Sequence, residues 1–230
     1  MGGHVTSINK VLVTGGLGFV GWWMRKTQPK IEAHYITRKM YEECEWEKWN
    51  CDAIVHLAPI SPERVLKTNA RILFASSGAV YAGHDEYSDN KRHWEYLCNS
   101  GDVVIARLFS FVGKYLERHA IYEFIQQAKT GTITINGDGK ATRSYLYGED
   151  LGNWMWRLLL EGVGIYDVGS SVPYTILETA KIVSELIPCK IQVMNDPKVT
   201  STYYMPDLER VRELGCVETV GLREAIKRTI

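Results

Sequence analysis

The feature that most constrains the fold of this 230-residue chain is a turn with four glycines, Thr14-Gly15-Gly16-Leu17-Gly18-Phe19-Val20-Gly21. The apolar run Val11–Thr14 leads directly into it, and the helical pattern Phe19–Lys26 leaves it. A glycine at the start of such a turn permits a tight reversal, and one three residues into the helix permits close helix–strand packing. The turn therefore predicts a strand–turn–helix unit of an α/β fold.

The same turn is suited to binding phosphate. A helix N-terminus presents free N–H groups and a partial positive charge, and Gly18 leaves room for a pyrophosphate to approach the backbone. A glycine-rich turn without a ligand is the structural alternative. Because a strand precedes the motif and a helix follows it, we favour a bound dinucleotide.

The rest of the chain alternates between buried strands and helices. Apolar runs predict strands at 11–14, 33–37, 53–57, 72–76, 103–108 and 165–168, and helical patterns occur at 19–26, 89–98, 120–129 and 149–160. This alternation predicts a Rossmann-like, doubly wound parallel sheet with helices on both faces. Further helices at 175–186, 207–214 and 222–230 and a short strand at 191–194 suggest a small C-terminal α/β cap. We assign residues 1–113 plus 144–170 to a dinucleotide-binding core and 114–143 plus 171–230 to a substrate-binding cap.

Composition argues against several classes of partner. The 27 basic and 27 acidic side chains cancel, so we expect neither a nucleic-acid nor a membrane partner. No apolar run approaches the ~20 residues of a membrane span, and the first ten residues do not resemble a signal peptide, so a cytoplasmic location is expected. The five cysteines are scattered and form no CxxC pair, so no metal site is expected.

The residue after the second strand bears on the choice of dinucleotide. An acid there usually binds the ribose hydroxyls of NAD, whereas this strand is followed by Arg38 and Lys39. A guanidinium is suited to a phosphate dianion. Arg38 therefore favours NADP over NAD, with a solvated surface Arg–Lys pair as the alternative.

The spacing of Tyr87 and Lys91 indicates acid–base chemistry. Residues four apart share a face of a helix, so Lys91 can lie beside the Tyr87 hydroxyl and the cofactor ribose. A nearby ammonium favours the phenolate and lowers the pKa of the tyrosine, which makes it a usable acid and base. A pair on a helix surface is the alternative.

Several motifs resemble the short-chain dehydrogenase/reductase superfamily, and Thr14–Gly21 resembles its extended branch, which acts on nucleotide-linked sugars. The segment Ser76–Tyr81 resembles the SS-x-x-VYG motif of that branch. The resemblance implies that Ser77, Tyr87 and Lys91 are catalytic, with Ser77 bonded to the reacting sugar oxygen. Glu95 matches the KxxxE pattern of the same helix.

The resemblance also implies binding residues. The cofactor-binding residues are Gly15, Gly18, Phe19, Val20, Gly21, Arg38, Leu57, Ala58, Tyr87 and Lys91. The strand that ends in His56 resembles D-x-V-x-HLAA, and we interpret His56 itself as structural. Ser110, in a motif resembling R-x-x-N-x-x-G, and Arg143, in Gly137–Leu151, which resembles GDGxxxRSYxYxxDL, are implied to bind the substrate diphosphate. A surface salt bridge is the alternative for Arg143, and packing is favoured for Trp154 and Trp156.

The chain is also shorter than the family pattern in three places: between the second and third strands, after Ala58, and between Ser77 and Tyr87. A βα unit is shortened or lost, so the usual dimer contact of the family is not inherited and the oligomeric state stays open. Gly78-Ala79 replaces the Asp-Glu pair of sugar dehydratases, which argues against dehydration. We predict an NAD(P)-dependent nucleotide-sugar epimerase or ketosugar reductase, with hydride transfer at a sugar carbon, C4 being favoured. The alternatives are a decarboxylase or dehydratase of the same family, or a non-catalytic nucleotide-sugar-binding protein.

Overall fold

The computed structural model describes residues 8–99, 101–199 and 202–230. Contacts within the chain divide it into two compact units, one comprising Met1–Leu108 with Gly152–Tyr166 and the other Phe109–Leu151 with Asp167–Ile230. Each unit is described by itself. The assignment of one part to the dinucleotide and the other to the substrate stays a prediction.

The described residues form thirteen strands and eight α-helices. The strands are β1 (Lys10–Thr14), β2 (Glu32–Ile36), β3 (Ala53–His56), β4 (Arg71–Ser77), β5 (Val103–Leu108), β6 (Phe111–Val112), β7 (Thr132–Ile135), β8 (Thr142–Arg143), β9 (Leu146–Tyr147), β10 (Gly164–Val168), β11 (Tyr174–Thr175), β12 (Lys190–Val193) and β13 (Tyr203–Tyr204). The helices are α1 (Phe19–Lys26), α2 (Arg38–Glu43), α3 (Glu86–Leu97), α4 (Ala120–Lys129), α5 (Gly148–Glu161), α6 (Ile176–Leu186), α7 (Glu209–Glu213) and α8 (Leu222–Lys227). Short 3-10 turns occupy Trp46–Trp49, Pro62–Lys67 and Gly78–Tyr81.

The main sheet has six strands in the order β10-β5-β4-β3-β1-β2. The pairs β2–β1, β1–β3, β3–β4 and β4–β5 are parallel. All six apolar runs that predicted strands form this sheet, each within one residue of its predicted ends. The prediction of a Rossmann-like parallel sheet is thus confirmed. Because β2 and β3 lie on opposite sides of β1, the strand order reverses beside the carboxyl end of β1, where such sheets bind ligands.

A short segment replaces the expected βα unit between β2 and β3. It contains only the six-residue helix α2 and the 3-10 turn Trp46–Trp49, so β2 is an edge strand of the sheet. The rings of Tyr41 and Trp46 stack at 5.2 Å, and both side chains are buried in the hydrophobic core with Ile54 and Phe74. The Arg64 guanidinium lies 4.9 Å from the Trp46 ring centroid. Two aromatic side chains therefore cover the face of the sheet that the shortened unit leaves open.

The second unit contains smaller sheets. Strands β7 and β12 pair in parallel, β8 pairs with β11 and β13, and β6 pairs with β9. Helix α6 begins with a capping box, in which the Thr175 hydroxyl accepts from the Glu178 amide and the Glu178 carboxylate accepts from the Thr175 amide. The helices predicted at 175–186 and 222–230 and the strand predicted at 191–194 are present with shifted ends. Within the described residues, no helix has the length and apolar character that crossing a membrane requires.

Two tryptophans on α5 have the packing role predicted for them. Trp154 and Trp156 are both 3% exposed. The indole N–H of Trp156 donates to the carbonyl of Met24 at 2.8 Å, which ties α5 to the end of α1. These side chains belong to the core of the fold.

Candidate active site

The glycine turn after β1 is held in shape by close contacts that exclude a side chain. Gly15 has φ +69°, and a Cβ there would lie 2.9 Å from the amide nitrogen of Ala58. A Cβ at Gly16 would lie 2.6 Å from the Cβ of Tyr35 in β2, and one at Gly21 would lie 2.6 Å from the Gly16 Cα. Gly21 therefore permits the helix to pack on the turn itself, and Gly16, to which the sequence assigned no role, permits the turn to pack on β2.

The N-terminus of α1 fits the diphosphate of a dinucleotide. Gly18 is its N-cap residue, no side chain caps it, and its first turn contains no acidic residue. A Cβ at Gly18 would meet only the Gly15 carbonyl, at 3.4 Å, so the space over this glycine is open. An uncapped N-terminus with an open approach suits an anion, which would accept hydrogen bonds from the first helical N–H groups. Phe19 and Val20 form the first helical residues at this position.

A buried hydrogen-bond chain joins the carboxyl ends of β1 and β3. The His56 Nε2 donates to the carbonyl of Ile60 at 3.2 Å, because a carbonyl can only accept. The His56 Nδ1 then accepts from the Thr14 hydroxyl at 3.0 Å, and that hydroxyl accepts from the Ala58 amide at 3.3 Å. Burial lowers the pKa of His56 to about 4, so the ring is neutral at pH 7. This arrangement supports the structural interpretation of His56, and it positions Leu57 and Ala58 beside the glycine turn.

Tyr87 and Lys91 lie on one face of α3, next to the end of β4. The helix begins at Glu86, three residues earlier than predicted, because Asp85 caps it by accepting from the Ser88 amide at 2.9 Å. Tyr87 is 51% exposed, so its hydroxyl is accessible to a ligand. The Lys91 ammonium lies 5.9 Å from the centroid of the Tyr87 ring.

The ammonium group of Lys91 is buried, and not all of its N–H donors are used by the described residues. It is 4% exposed, and its Nζ donates to the Ala75 carbonyl at 2.8 Å. Burial lowers the pKa of Lys91 to about 8, and the Glu95 carboxylate opposes that shift. An ammonium has three N–H donors, and among the described residues this bond to Ala75 is its one hydrogen bond. The remaining donors fit the hydroxyls of a cofactor ribose.

Ser77 ends β4 and begins the 3-10 turn Gly78–Tyr81. Its Oγ accepts from the Ala79 amide at 3.2 Å, and the residue is buried. Because that bond uses an oxygen lone pair, the hydroxyl proton remains available for a second bond. Ser77 lies two residues after Ala75, whose carbonyl accepts from Lys91, so Ser77 and Lys91 both lie at the end of β4.

Arg38 is the first residue of α2 and is exposed to solvent. Its Nε donates to the Glu42 carboxylate at 2.7 Å, one helical turn away. The guanidinium thus stands directly after the end of β2, as the sequence placed it, but with an acidic partner that the sequence analysis did not anticipate.

The two residues predicted to bind the substrate diphosphate lie in the second unit. Arg143, in β8, donates from Nη1 to the carbonyls of Thr142 at 2.7 Å and Thr202 at 3.1 Å, and from Nη2 to the Thr202 hydroxyl at 2.8 Å. Its Cζ lies 5.4 Å from the Tyr204 ring centroid. Backbone carbonyls and a ring thus orient Arg143, and the carboxylate partner that the salt-bridge alternative requires is absent from its contacts in the described part of the chain. Ser110 precedes β6, and its carbonyl accepts from the Leu146 amide at 3.0 Å.

A charged cluster beside the Tyr87–Lys91 pair was missed as a unit in the sequence. Glu95 was visible only as part of a helix pattern and Arg107 only as the first residue of a motif, yet the two form a bidentate ion pair. Twelve residues and a change of element separate them, so no spacing rule could have paired them. In the part of the chain that the structure describes, no group of three or more His, Cys, Asp or Glu side chains could hold a metal ion.

The parallel sheet, the glycine turn at the reversal of strand order and the Tyr–Lys pair on α3 define a Rossmann-like protein of the short-chain dehydrogenase/reductase type. Comparison with known proteins narrows this class. The model of the NAD dependent epimerase/dehydratase family matches residues 62–169. UDP-glucuronic acid decarboxylase 4 of Arabidopsis thaliana is 32% identical over 94% of this chain and 67% of that protein. The chain belongs to the NAD dependent epimerase/dehydratase family.

Other proteins that are similar to this chain are also named as enzymes of nucleotide-linked sugars. UDP-glucuronic acid decarboxylase 1 of Danio rerio is 25% identical over the whole of this chain and 67% of that protein, so the chain spans about two thirds of the length of these relatives. The solved structure of a UDP-N-acetylglucosamine 4-epimerase from Methanobrevibacter ruminantium, in complex with UDP-N-acetylmuramic acid, superposes with a TM-score of 0.80 at 19% identity, covering 97% of this chain and 98% of that one. A dTDP-glucose 4,6-dehydratase from Bacillus anthracis, in complex with NAD, gives 0.79 at 17% identity, covering 96% of each chain. At these identities the structural likeness concerns the fold.

Proposed function

We propose that this chain binds NAD or NADP and uses it to oxidise or reduce a carbon of a nucleotide-diphosphate sugar, with C4 as the reacting carbon. The observation that carries the proposal is the buried Lys91 ammonium beside the accessible Tyr87, at the strand end that also holds Ser77. Burying an ammonium is costly unless its charge is used or paired. A surface pair without function would not need that burial.

Each of the three side chains has a distinct role in moving a proton. Tyr87 takes the proton of the sugar hydroxyl on oxidation and returns it on reduction. The Lys91 ammonium, 5.9 Å from the centroid of the Tyr87 ring, supplies a positive charge beside the phenolate that forms when Tyr87 gives up its proton. Ser77 donates its free hydroxyl proton to the same sugar oxygen and orients it.

The dinucleotide, when bound, supplies the hydride acceptor and donor. Its diphosphate would bind at the N-terminus of α1 beside Gly18, Leu57 and Ala58 would contact the dinucleotide, and the free donors of Lys91 would hold its ribose. We propose NADP over NAD because Arg38 directly follows β2, where its guanidinium would exchange its bond to Glu42 for one to a 2′-phosphate.

We propose that Arg143 and Ser110 bind the diphosphate of a nucleotide-linked sugar. The planar guanidinium of Arg143 suits bidentate binding of a diphosphate, and its fixed orientation reduces the entropy lost on binding. Ser110 supplies a hydroxyl for the same group. We propose these roles from the resemblance of the two motifs and from the arrangement of Arg143.

Two kinds of reaction fit this set. Epimerisation or ketosugar reduction needs only the hydride step and the proton step, and the turn Gly78–Tyr81 contains no carboxylate for dehydration. Decarboxylation is the second candidate, because the curated relatives are UDP-glucuronic acid decarboxylases. After oxidation at C4 of a uronic acid, the C5–carboxylate bond breaks with loss of CO2. Its electron pair forms an enolate with the C4 carbonyl, whose oxygen Ser77 and Tyr87 hold, and C5 then takes a proton from water. The bound dinucleotide would return its hydride to C4, and Tyr87 would return the proton to the C4 oxygen.

The test is to incubate the purified chain with NAD or NADP and a panel of UDP-hexoses, UDP-uronic acids and keto-sugar nucleotides. Epimerisation changes the sugar spectrum in NMR, reduction consumes NADPH, and decarboxylation releases CO2. Tyr87→Phe should lower turnover by roughly a thousandfold while dinucleotide affinity stays nearly unchanged. Tyr96→Phe, an exposed tyrosine on the same helix, is the matched control and should retain full activity.

The proposal fails if neither dinucleotide binds, or if Tyr87→Phe turns over as fast as the unchanged chain. Dinucleotide binding without turnover of any sugar nucleotide would support the non-catalytic alternative instead.

A further inference from the structure

A buried carboxylate stands where α3, β4 and β5 meet. The Glu95 side chain is only 10% exposed. Its Oε1 accepts from the Ser76 hydroxyl at 2.5 Å and from the Arg107 Nε at 3.0 Å, and its Oε2 accepts from the Arg107 Nη2 at 2.7 Å. Both carboxylate oxygens are thus bonded, Oε1 by partners from β4 and β5 and Oε2 by Arg107 of β5 alone.

Arg107 extends this cluster to the turn that follows β4. Its side chain is 19% exposed, and its Nη1 donates to the Tyr81 hydroxyl at 2.8 Å. The Arg107 Cζ also lies 4.8 Å from the centroid of the Tyr81 ring. A bidentate pair of this kind holds a fixed geometry as well as a charge. The cluster therefore fastens α3 to β4, to β5 and to the turn Gly78–Tyr81 at once.

The same contacts determine the spacing of the proposed catalytic residues. Ser76, which donates to Glu95, immediately precedes Ser77, and Ala75, which accepts from Lys91, immediately precedes Ser76. Glu95 stands one helical turn after Lys91 on α3. Glu95 and Lys91 therefore lie on one face of the helix and form hydrogen bonds with two consecutive residues of β4, Ser76 and Ala75.

We propose that Glu95 is a positioning residue of the active site, whose carboxylate holds α3 in register with the end of β4 and places a negative charge one helical turn from Lys91. The catalytic half of this inference rests on the proposed function, because it assumes that Ser77, Tyr87 and Lys91 carry the reaction. Glu95 itself touches Ser76 and Arg107 and acts through its neighbours.

The charges around Lys91 agree with this role. Burial lowers the pKa of Lys91. Two neighbouring side chains raise it, and Glu95 has the larger effect of the two. The other is Cys98 at the end of α3, whose own pKa burial raises to about 12, so its thiol is uncharged near pH 8. His56 approaches from β3 and is neutral, with its pKa lowered to about 4, and Arg107 from β5 is paired with Glu95. Removing the Glu95 charge should therefore lower the pKa of Lys91 further.

The test uses Glu95→Gln, which keeps the size of the side chain and an oxygen for Ser76 but removes the charge. Lysine labelled with 13C at Cε allows the Lys91 ammonium to be titrated by NMR in the chain without dinucleotide. The midpoint of that titration should fall by about one pH unit, the lower end of what a close opposite charge does. In turnover, the alkaline limb of the pH–rate profile should move to lower pH by the same amount, and kcat near pH 8 should fall about fivefold with KM little changed, because the charged fraction of Lys91 falls by that factor.

Glu161→Gln is the matched control, since Glu161 forms an exposed pair with Arg157 on α5 and should leave both readouts unchanged. Glu95→Asp retains the charge but draws the carboxylate back from its partners, so it should lower the Lys91 midpoint by less than Glu95→Gln does. It also keeps the test available if Glu95→Gln fails to fold, because the shortened carboxylate should then shift the midpoint partway.

An unchanged Lys91 midpoint in a folded Glu95 variant would overturn the inference. If the midpoint falls but no chain turns over any sugar nucleotide, the proposed function fails while the link between Glu95 and Lys91 stands.

Discussion

Methionine in place of Lys91 should make the folded chain more stable at neutral pH while abolishing its activity. Lys91 is 4% exposed, and burial lowers its pKa from 10.5 to about 8. Each tenfold weakening of proton binding corresponds to about 1.4 kcal/mol, so keeping this ammonium charged in the fold costs about 3 kcal/mol at pH 7. Methionine has a similar length and no charge, so this cost disappears.

The substitution also removes favourable contacts. The Lys91 ammonium donates to the Ala75 carbonyl and lies 5.1 Å from the ring centroids of both Phe74 and Trp94. These contacts are worth about 1–2 kcal/mol together. A net gain of about 1–2 kcal/mol in the free energy of unfolding at pH 7 is therefore expected for Lys91→Met.

The pH dependence separates this explanation from better packing of methionine. Between pH 8 and 10.5 the unfolded chain binds more protons at Lys91 than the folded chain does, so this group makes the free energy of unfolding rise with pH. Lys91→Met lacks that rise. Its advantage over the unchanged chain should be largest at pH 7 and should shrink steadily as the pH passes through 8 towards 10.5.

The measurement is urea unfolding of the unchanged chain and of Lys91→Met, monitored by tryptophan fluorescence, at pH 7, 8.5 and 9.5. Other groups that titrate in this range are common to both chains and cancel in the difference. Lys39→Met serves as the control, because Lys39 is an exposed lysine on α2 and should show almost no difference. A Lys91→Met chain that is less stable at pH 7, or a difference that does not vary with pH, would refute the reasoning.

Three further predictions concern the turn and the cofactor. The folded pKa of His56 lies near 4 against an ordinary 6.5, so the unchanged chain should lose about 3 kcal/mol of stability as pH falls from 6.5 to 4, and urea unfolding of His56→Gln should show less of this dependence. Gly16→Ala should destabilise the fold by about 1–3 kcal/mol in thermal melts because its Cβ meets β2, whereas Gly18→Ala should fold normally and weaken dinucleotide binding about tenfold. Arg38→Ala should reduce the preference for NADP over NAD roughly tenfold in titrations, and Glu42→Gln should strengthen NADP binding by freeing the guanidinium.

Each of these has a result that contradicts it. His34→Gln, at a half-exposed histidine, is the control for His56, and an equal effect of the two on acid stability would argue against the buried ring as the cause. Equal melting points for the two glycine variants would contradict the packing argument. An unchanged cofactor preference in Arg38→Ala would remove the basis for proposing NADP.

The sheet and the glycine turn could be predicted from the sequence because their determinants are local. A strand buried on both faces is a continuous apolar run, and a tight turn between strand and helix needs glycine at particular positions. The spacing of Tyr87 and Lys91 was equally informative, since residues four apart share a helical face. These features could be predicted because the residues that form each of them lie close together in the sequence.

The tertiary structure decided the features that join distant segments. The sequence showed that the segment after β2 was too short for a βα unit, but only the fold shows Tyr41 and Trp46 stacked over the face left open. Likewise, Glu95 and Arg107 stand on different elements and are paired only because α3 packs across β4 and β5. The sequence by itself determined which elements form and where the glycine turn and the Tyr87–Lys91 pair lie. Which buried charges face one another depends on packing between elements, and no local pattern encodes it.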